Sequence, residues 1–224
     1  MMTKKEIEFP SHVNLEERIS IWAHDLRSPF NHMLGFTKIV MNGQSGPLTD
    51  LQKEDLKTVY HSSLRAMALV NNLIEIARLQ QGLKEINLEN ITLQSFLDRS
   101  LDQWKKFNPD KEIPIATVLS TQNGTVAIDR NHTQSILNGF ISYLATFGDG
   151  TGKLTIDVSE ENQCLVFRLH LTDIVSRGND EMSMEMHGLI CKAYIDLLHG
   201  EISRGEMDDK EALISFSIPL AFSE

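Results

Sequence analysis

Trp22-Ala23-His24-Asp25-Leu26-Arg27-Ser28-Pro29-Phe30-Asn31 sits inside a longer apolar rhythm. Ile19, Trp22, Leu26, Phe30, Met33, Thr37 and Val40 advance by three or four residues at a time, so they share one stripe of a helix. His24 falls two residues from the seam on either side and faces water. An exposed imidazole is a nucleophile when it is neutral with one nitrogen free, and a neighbouring carboxylate that takes the other N–H fixes that tautomer. Asp25 supplies the carboxylate. Arg27 and Ser28 follow His24 by three and four residues and are expected on its face, the guanidinium for an anionic group and the hydroxyl to position a water. Pro29 lacks the N–H that would bond to the Asp25 carbonyl, which predicts a bend at the histidine. Gly35, eleven residues beyond His24, leaves room on the same face for an incoming partner.

Outward from this run, Asn42-Gly43-Gln44-Ser45-Gly46-Pro47 predicts a turn. Thr49-Asp50-Leu51-Gln52 has the spacing of a capping box and opens a second helix. Its seam runs Leu56, Val59, Ser63, Ala66, Val70, Leu73 and Ala77, and Gly82 stops it. Two such helices form an antiparallel hairpin but cannot cover both apolar stripes, which points to a symmetric homodimer through residues 15–82 that completes a four-helix bundle. A hairpin packed on the rest of the chain is the competing solution.

After Gly82 the pattern changes. Thr92 is a candidate N-cap for a helix through Trp104 that ends near Asn108-Pro109. Ile113 to Leu119 and Gly124 to Ile128 predict short strands, Thr133 to Phe147 a helix, and Lys153 to Val158 and Cys164 to Leu171 strands with one face covered. A helix around His187 to Leu198 and a strand over Ala212 to Ile218 complete an α/β sandwich, so the expected class is α+β. The expected division is an N-terminal segment 1–14, the hairpin 15–82 and the sandwich 83–224.

The chain of 224 residues has 21 Lys plus Arg against 31 Asp plus Glu, a formal charge of −10. Residues 1–82 carry nine basic and nine acidic residues, so the whole excess lies in residues 83–224. That sign argues against gripping nucleic-acid backbone. No apolar run reaches the roughly 20 residues of a membrane span, and Met1 to Pro10 has no signal-peptide core, so a cytoplasmic location is expected. Cys164 and Cys191 have no metal-ligand spacing and are expected reduced; no metal site is expected.

His24-Asp25-Leu26-Arg27-Ser28-Pro29, then Leu34-Gly35-Phe36, then Leu73-Ile74-Glu75-Ile76-Ala77-Arg78-Leu79 and Gly82, resembles the dimerisation and histidine-phosphotransfer domain of two-component sensor histidine kinases. The resemblance covers residues 15–82 and implies that His24 is the phospho-acceptor, with Asp25, Arg27 and Ser28 around it. Ser28 stands where Thr is commoner. The second part resembles the family's ATP-binding domain in eroded form. Asp129 and Ile136-Leu137-Asn138 match the start of the asparagine-rich box, but Ser142 holds the magnesium Asn position and Ala145 the basic one. Asp173 matches the adenine Asp, whereas Val175, Arg177 and Met186 stand in for glycines; Gly188 matches, and Met182 to His187 corresponds to a short ATP lid. A β-carbon at those glycines blocks approach to phosphates. The resemblance thus implies a degenerate ATP site with remnants Asn138, Asp173 and Gly188.

The expectation that follows is a histidine phosphotransferase that moves a phosphoryl group between His24 and aspartates of response-regulator receiver domains, without ATP-dependent autophosphorylation. The chain would require no cofactor, the receiver bringing its own Mg2+. Two alternatives stay open, an active histidine kinase with a divergent ATP site and a non-catalytic dimeric adaptor for receivers. His12 with His24-Asp25 also suggests an HD-type metal phosphohydrolase, against which the strand-rich second part argues.

Overall fold

A computed structural model describes residues 15–82, 84–108, 111–121, 124–176, 178 and 180–220, with residues 15–21 and 204–206 described by backbone alone. The N-terminal segment 1–14, including His12, and also Pro109 and Arg177 lie outside the described residues. The chain divides into two units, Met1–Leu83 and Lys84–Glu224.

In the first unit, α1 (Leu15–Met41) runs without interruption through Pro29. Gly43 and Gly46, both at positive φ, turn the chain into α2 (Asp50–Gln80). The capping box forms as its spacing predicts: the Thr49 hydroxyl accepts from the Gln52 N–H at 3.2 Å, and the Gln52 side chain accepts from the Thr49 N–H at 2.9 Å. The packing line of α1 differs from the expected seam. Ala23 and Thr37 are buried and Phe30 and Leu34 half-buried, while the seam residues Trp22, Leu26 and Met33 stay exposed. One neighbouring helix covers only a narrow stripe, so the wide apolar face that the sequence encodes is half used.

The second unit begins with β1 (Leu88–Thr92), which pairs antiparallel with β3 (Thr125–Asp129). Between them lie α3 (Leu93–Phe107) and β2 (Ile115–Ser120). Thr92 is the N-cap of α3, but its side chain makes no capping hydrogen bond. Then follow α4 (Arg130–Phe147), β4 (Lys153–Glu161), β5 (Cys164–Thr172), α5 (Glu181–Leu197), β6 (Glu201–Met207) and β7 (Ala212–Pro219). The main sheet has the order β2-β4-β5-β7-β6, parallel between β2 and β4 and antiparallel elsewhere.

Its core comes from period-two alternation. Leu154, Ile156 and Val158 of β4, Leu165, Phe167, Leu169 and Leu171 of β5, and Ile214, Phe216 and Ile218 of β7 are buried together with Phe96, Leu97 and Trp104 of α3 and Ile136, Leu137, Phe140 and Leu144 of α4. Phe167 stacks on Phe216 at 4.7 Å between centroids, and Phe140 tilts against the same ring at 5.5 Å.

Two strands escape the sequence reading. β1 is mostly exposed, and β6 is polar and irregular in register between Arg204 and Met207. The β6–β7 turn forms because Asp208 Oδ1 accepts from the Lys210 and Glu211 N–H groups at 2.7 and 2.9 Å, which also holds its carboxyl below the usual range. The lid reading of Met182 to His187 is corrected: these residues are the first turns of α5, started by the Asp180 side chain, which accepts from the Ser183 N–H at 3.2 Å.

Candidate functional site

α1 presents His24 to solvent with its side chain 87% exposed, and Asp25 beside it at 70%. His24 Nδ1 lies 3.4 Å from Asp25 Oδ1, a long contact that points the carboxylate at one ring nitrogen and leaves Nε2 open. Gly35 has open space where a β-carbon would stand. The exposure of His24 and Asp25 and the open space at Gly35 are those expected from the helix pattern. Arg27, one helical turn from His24, is half-buried rather than open. Its Nε donates to Asn71 Oδ1 of α2 at 2.7 Å, and the pair is partly buried. Ser28 is half-buried. The bond to Asn71 draws the Arg27 side chain toward α2. Asn71 was missed; the signal for it is a pair of amides, Asn71-Asn72, inside the apolar run from Ala66 to Ile76.

In the second unit the expected nucleotide residues have the following surroundings. Asp129 is the N-cap of α4, accepting from the His132 N–H at 2.8 Å and the Asn87 N–H at 2.7 Å. Asn138 Oδ1 is enclosed with no hydrogen-bond partner among the described residues. Ser142 accepts from Trp104 Nε1 at 2.9 Å, so the residue at the magnesium position faces α3. Ala145 is buried. Asp173 sits at the surface in a left-handed conformation (φ 57°) and pairs with Lys153 at 2.9 Å.

The segment after Asp173 packs down on α4. Gly178 N–H donates to the Phe147 carbonyl at 2.8 Å, and a β-carbon there would stand 1.8 Å from the Thr146 carbonyl oxygen. α4 and α5 are close-packed at Gly139 and leave room at Gly188. A β-carbon on Gly139 would come within 2.5 Å of Cys191 Sγ, and one on Gly188 would stand 3.9 Å from the Tyr143 ring. Cys191 is buried and its thiol is pushed well up by desolvation, while Cys164 is half-buried; both are free.

A cavity of about 510 Å³ opens beside α5, lined by Phe140, Tyr143, Met184, Leu189 and Ile214 with Glu181 and Glu185 among its polar residues. Of Asn138, Asp173 and Gly188, only Gly188 lines it. Among the described residues no three His, Cys, Asp or Glu side chains form a metal-binding group, and no helix is long and apolar enough to cross a membrane.

Residues 14–82 match the His Kinase A (phospho-acceptor) domain family. The chain is 25% identical over 186 residues to the cell-division control histidine kinase PdhS of Brucella suis, a match that covers 81% of this chain and 18% of that protein. Among solved structures, full-length ShkA in complex with AMPPNP is similar over 92% of this chain and 46% of its own, at 20% identity and a TM-score of 0.71. Histidine kinase ThkA, solved in complex with the response regulator protein TrrA, is similar over 92% of this chain and 62% of its own, at 16% identity and a TM-score of 0.58. The chain spans less than a third of the length of the first curated relatives it matches, 29% and 18%. Residues 14–82 thus match a phospho-acceptor domain family, and the chain as a whole is similar in sequence and in fold to histidine kinases.

Proposed function

We propose that this chain carries phosphoryl groups on His24, taking them in the manner of its histidine kinase relatives from ATP and passing them to the aspartate of a response-regulator receiver domain. The observation that carries the proposal is an 87% exposed imidazole, with a carboxylate at Nδ1, on a matched phospho-acceptor hairpin. Nε2 of the neutral ring attacks phosphorus. An N–P bond forms as the P–O bond to the leaving group breaks, and the electron pair stays on the departing oxygen. Asp25 accepts the Nδ1–H and offsets the positive charge that grows on the ring. Arg27 offers its guanidinium to the phosphoryl oxygens and Ser28 its hydroxyl to a water. The curated relatives are kinases, and ShkA was solved with an ATP analogue, so ATP as donor has better support than the phosphotransferase without ATP that the eroded motifs suggest.

A second reading is favoured by a specific observation: Ser142, at the magnesium position, is hydrogen-bonded to Trp104, and Asp173 is paired with Lys153 at the surface. Under it, the phosphoryl group reaches His24 from one receiver and leaves to another, with the ATPase-like unit as a docking part. One experiment separates the two. The protein is incubated with Mg2+ and γ-labelled ATP and, in parallel, with a receiver charged by labelled acetyl phosphate, and acid-labile label is counted on wild type and His24→Gln. Label from ATP supports the kinase, label from the receiver alone the second reading. No label from either removes both and leaves a non-catalytic adaptor.

The partner within the proposed assembly is a second copy of the hairpin. Trp22, Leu26, Met33, Phe36 and Ile39 of α1 and Val59, Leu64 and Leu73 of α2 are exposed apolar residues. Pairing two hairpins into a four-helix bundle covers them.

A further inference from the structure

The Arg27–Asn71 hydrogen bond joins α1 to α2 one helical turn from the proposed nucleophile. An arginine on a helix surface samples many rotamers, and this one is held by a residue 44 positions away in sequence. Only Nε is engaged. Among the described residues the two terminal nitrogens have no partner, so four of the five N–H donors remain for an incoming anion. The chemistry of the holding group also counts. A carboxylate at position 71 would orient the guanidinium equally well and would cancel its charge; a neutral amide orients it and leaves the charge whole. A phosphoryl group arriving with about −1.5 to −2 charges needs that uncancelled cation.

We propose that Asn71 is a positioning residue for phosphoryl transfer, holding the Arg27 guanidinium one helical turn from His24 without neutralising it. This rests on the reading of His24 as phosphoryl carrier and adds to it a residue from the opposite helix. Asn71 acts through Arg27 and touches no reacting atom. A mere clip between the helices would affect hairpin stability and nothing else, so the two roles part at the rate of transfer.

The test uses the full chain, whichever donor labels wild-type His24, and three variants: Asn71→Ala, Asn71→Asp and Asn71→Ala combined with Arg27→Ala. Transfer to a receiver is followed at increasing receiver concentration, beside thermal unfolding. Asn71→Ala is expected to lower the maximal rate about tenfold, with the receiver concentration at half-maximal rate changed less than twofold. Asn71→Asp is expected to unfold at or above the wild-type temperature and still transfer several-fold more slowly, because the ion pair it forms removes the charge. Adding Arg27→Ala to Asn71→Ala is expected to cost little more, since the two residues act as one unit. Transfer at the wild-type rate by folded Asn71→Ala or by Asn71→Asp would overturn the inference. Wild type is read first: if neither donor labels His24, the parent reading fails and this one with it, whereas labelled wild type with unaffected variants sinks this inference alone.

Discussion

His24 and His187 show how differently one side chain behaves at two places in a chain. The first is open to water with a carboxylate at one nitrogen; the second is half-buried on α5, where desolvation pushes its proton affinity down against the opposing pull of Asp180. A histidine held neutral in the folded state contributes its full stability above the ordinary value near 6.5 and loses it as pH falls below, because the unfolded chain binds the proton more readily. Thermal unfolding of wild type and His187→Gln at pH 7.5 and pH 5.5 is expected to show the steeper loss in wild type; equal losses would contradict the cause assigned. The identity of His24 and its carboxylate was legible in adjacent residues. The direction of Arg27 was not, since a helix wheel places position 27 only to within a broad sector and the choice belongs to Asn71 on another helix.

Elements were readable wherever their signals are local. The Thr49 capping box and the turn at Gly43 and Gly46 need only a few neighbouring residues, and both are found as spaced. β1 and β6 were not readable, because edge strands bury little and so carry no clean alternation. The lid reading failed for a related reason. Met182-Ser183-Met184-Glu185 has no breaker, and the Asp180 cap lets it propagate as helix. The close crossing of α4 and α5 is a property of two elements together, and Gly139 makes it possible. Gly139→Ala gains about 1 kcal/mol of helix propensity but forces a β-carbon to 2.5 Å from Cys191 Sγ. A net loss of roughly 1–3 kcal/mol is expected from overpacking. The double variant with Cys191→Ala is expected to be more stable than Gly139→Ala alone in urea unfolding; a double variant no more stable would locate the strain elsewhere.

The molecule as a whole joins a charge-balanced helical hairpin to an acidic α/β unit. The apolar residues left open on the hairpin are the surface that the proposed dimer would cover. Leu26→Glu with Leu73→Glu is expected to turn a dimer into a monomer in sedimentation velocity, with the strand signal of the second unit unchanged by circular dichroism. A wild type that sediments as a monomer at tens of micromolar would remove the four-helix bundle.

Periodicity, caps and the His24-Asp25 pair were sufficient for the helices, the α+β class and the candidate nucleophile, because each is a short-range pattern with its own stereochemistry. Only tertiary structure decided that Arg27 turns to Asn71 and that Ser142 faces Trp104. It also decided that Asp173 pairs with Lys153. Those outcomes depend on contacts between residues far apart in sequence, and the spacing of residues along one chain segment does not encode which distant side chain completes a hydrogen bond or an ion pair.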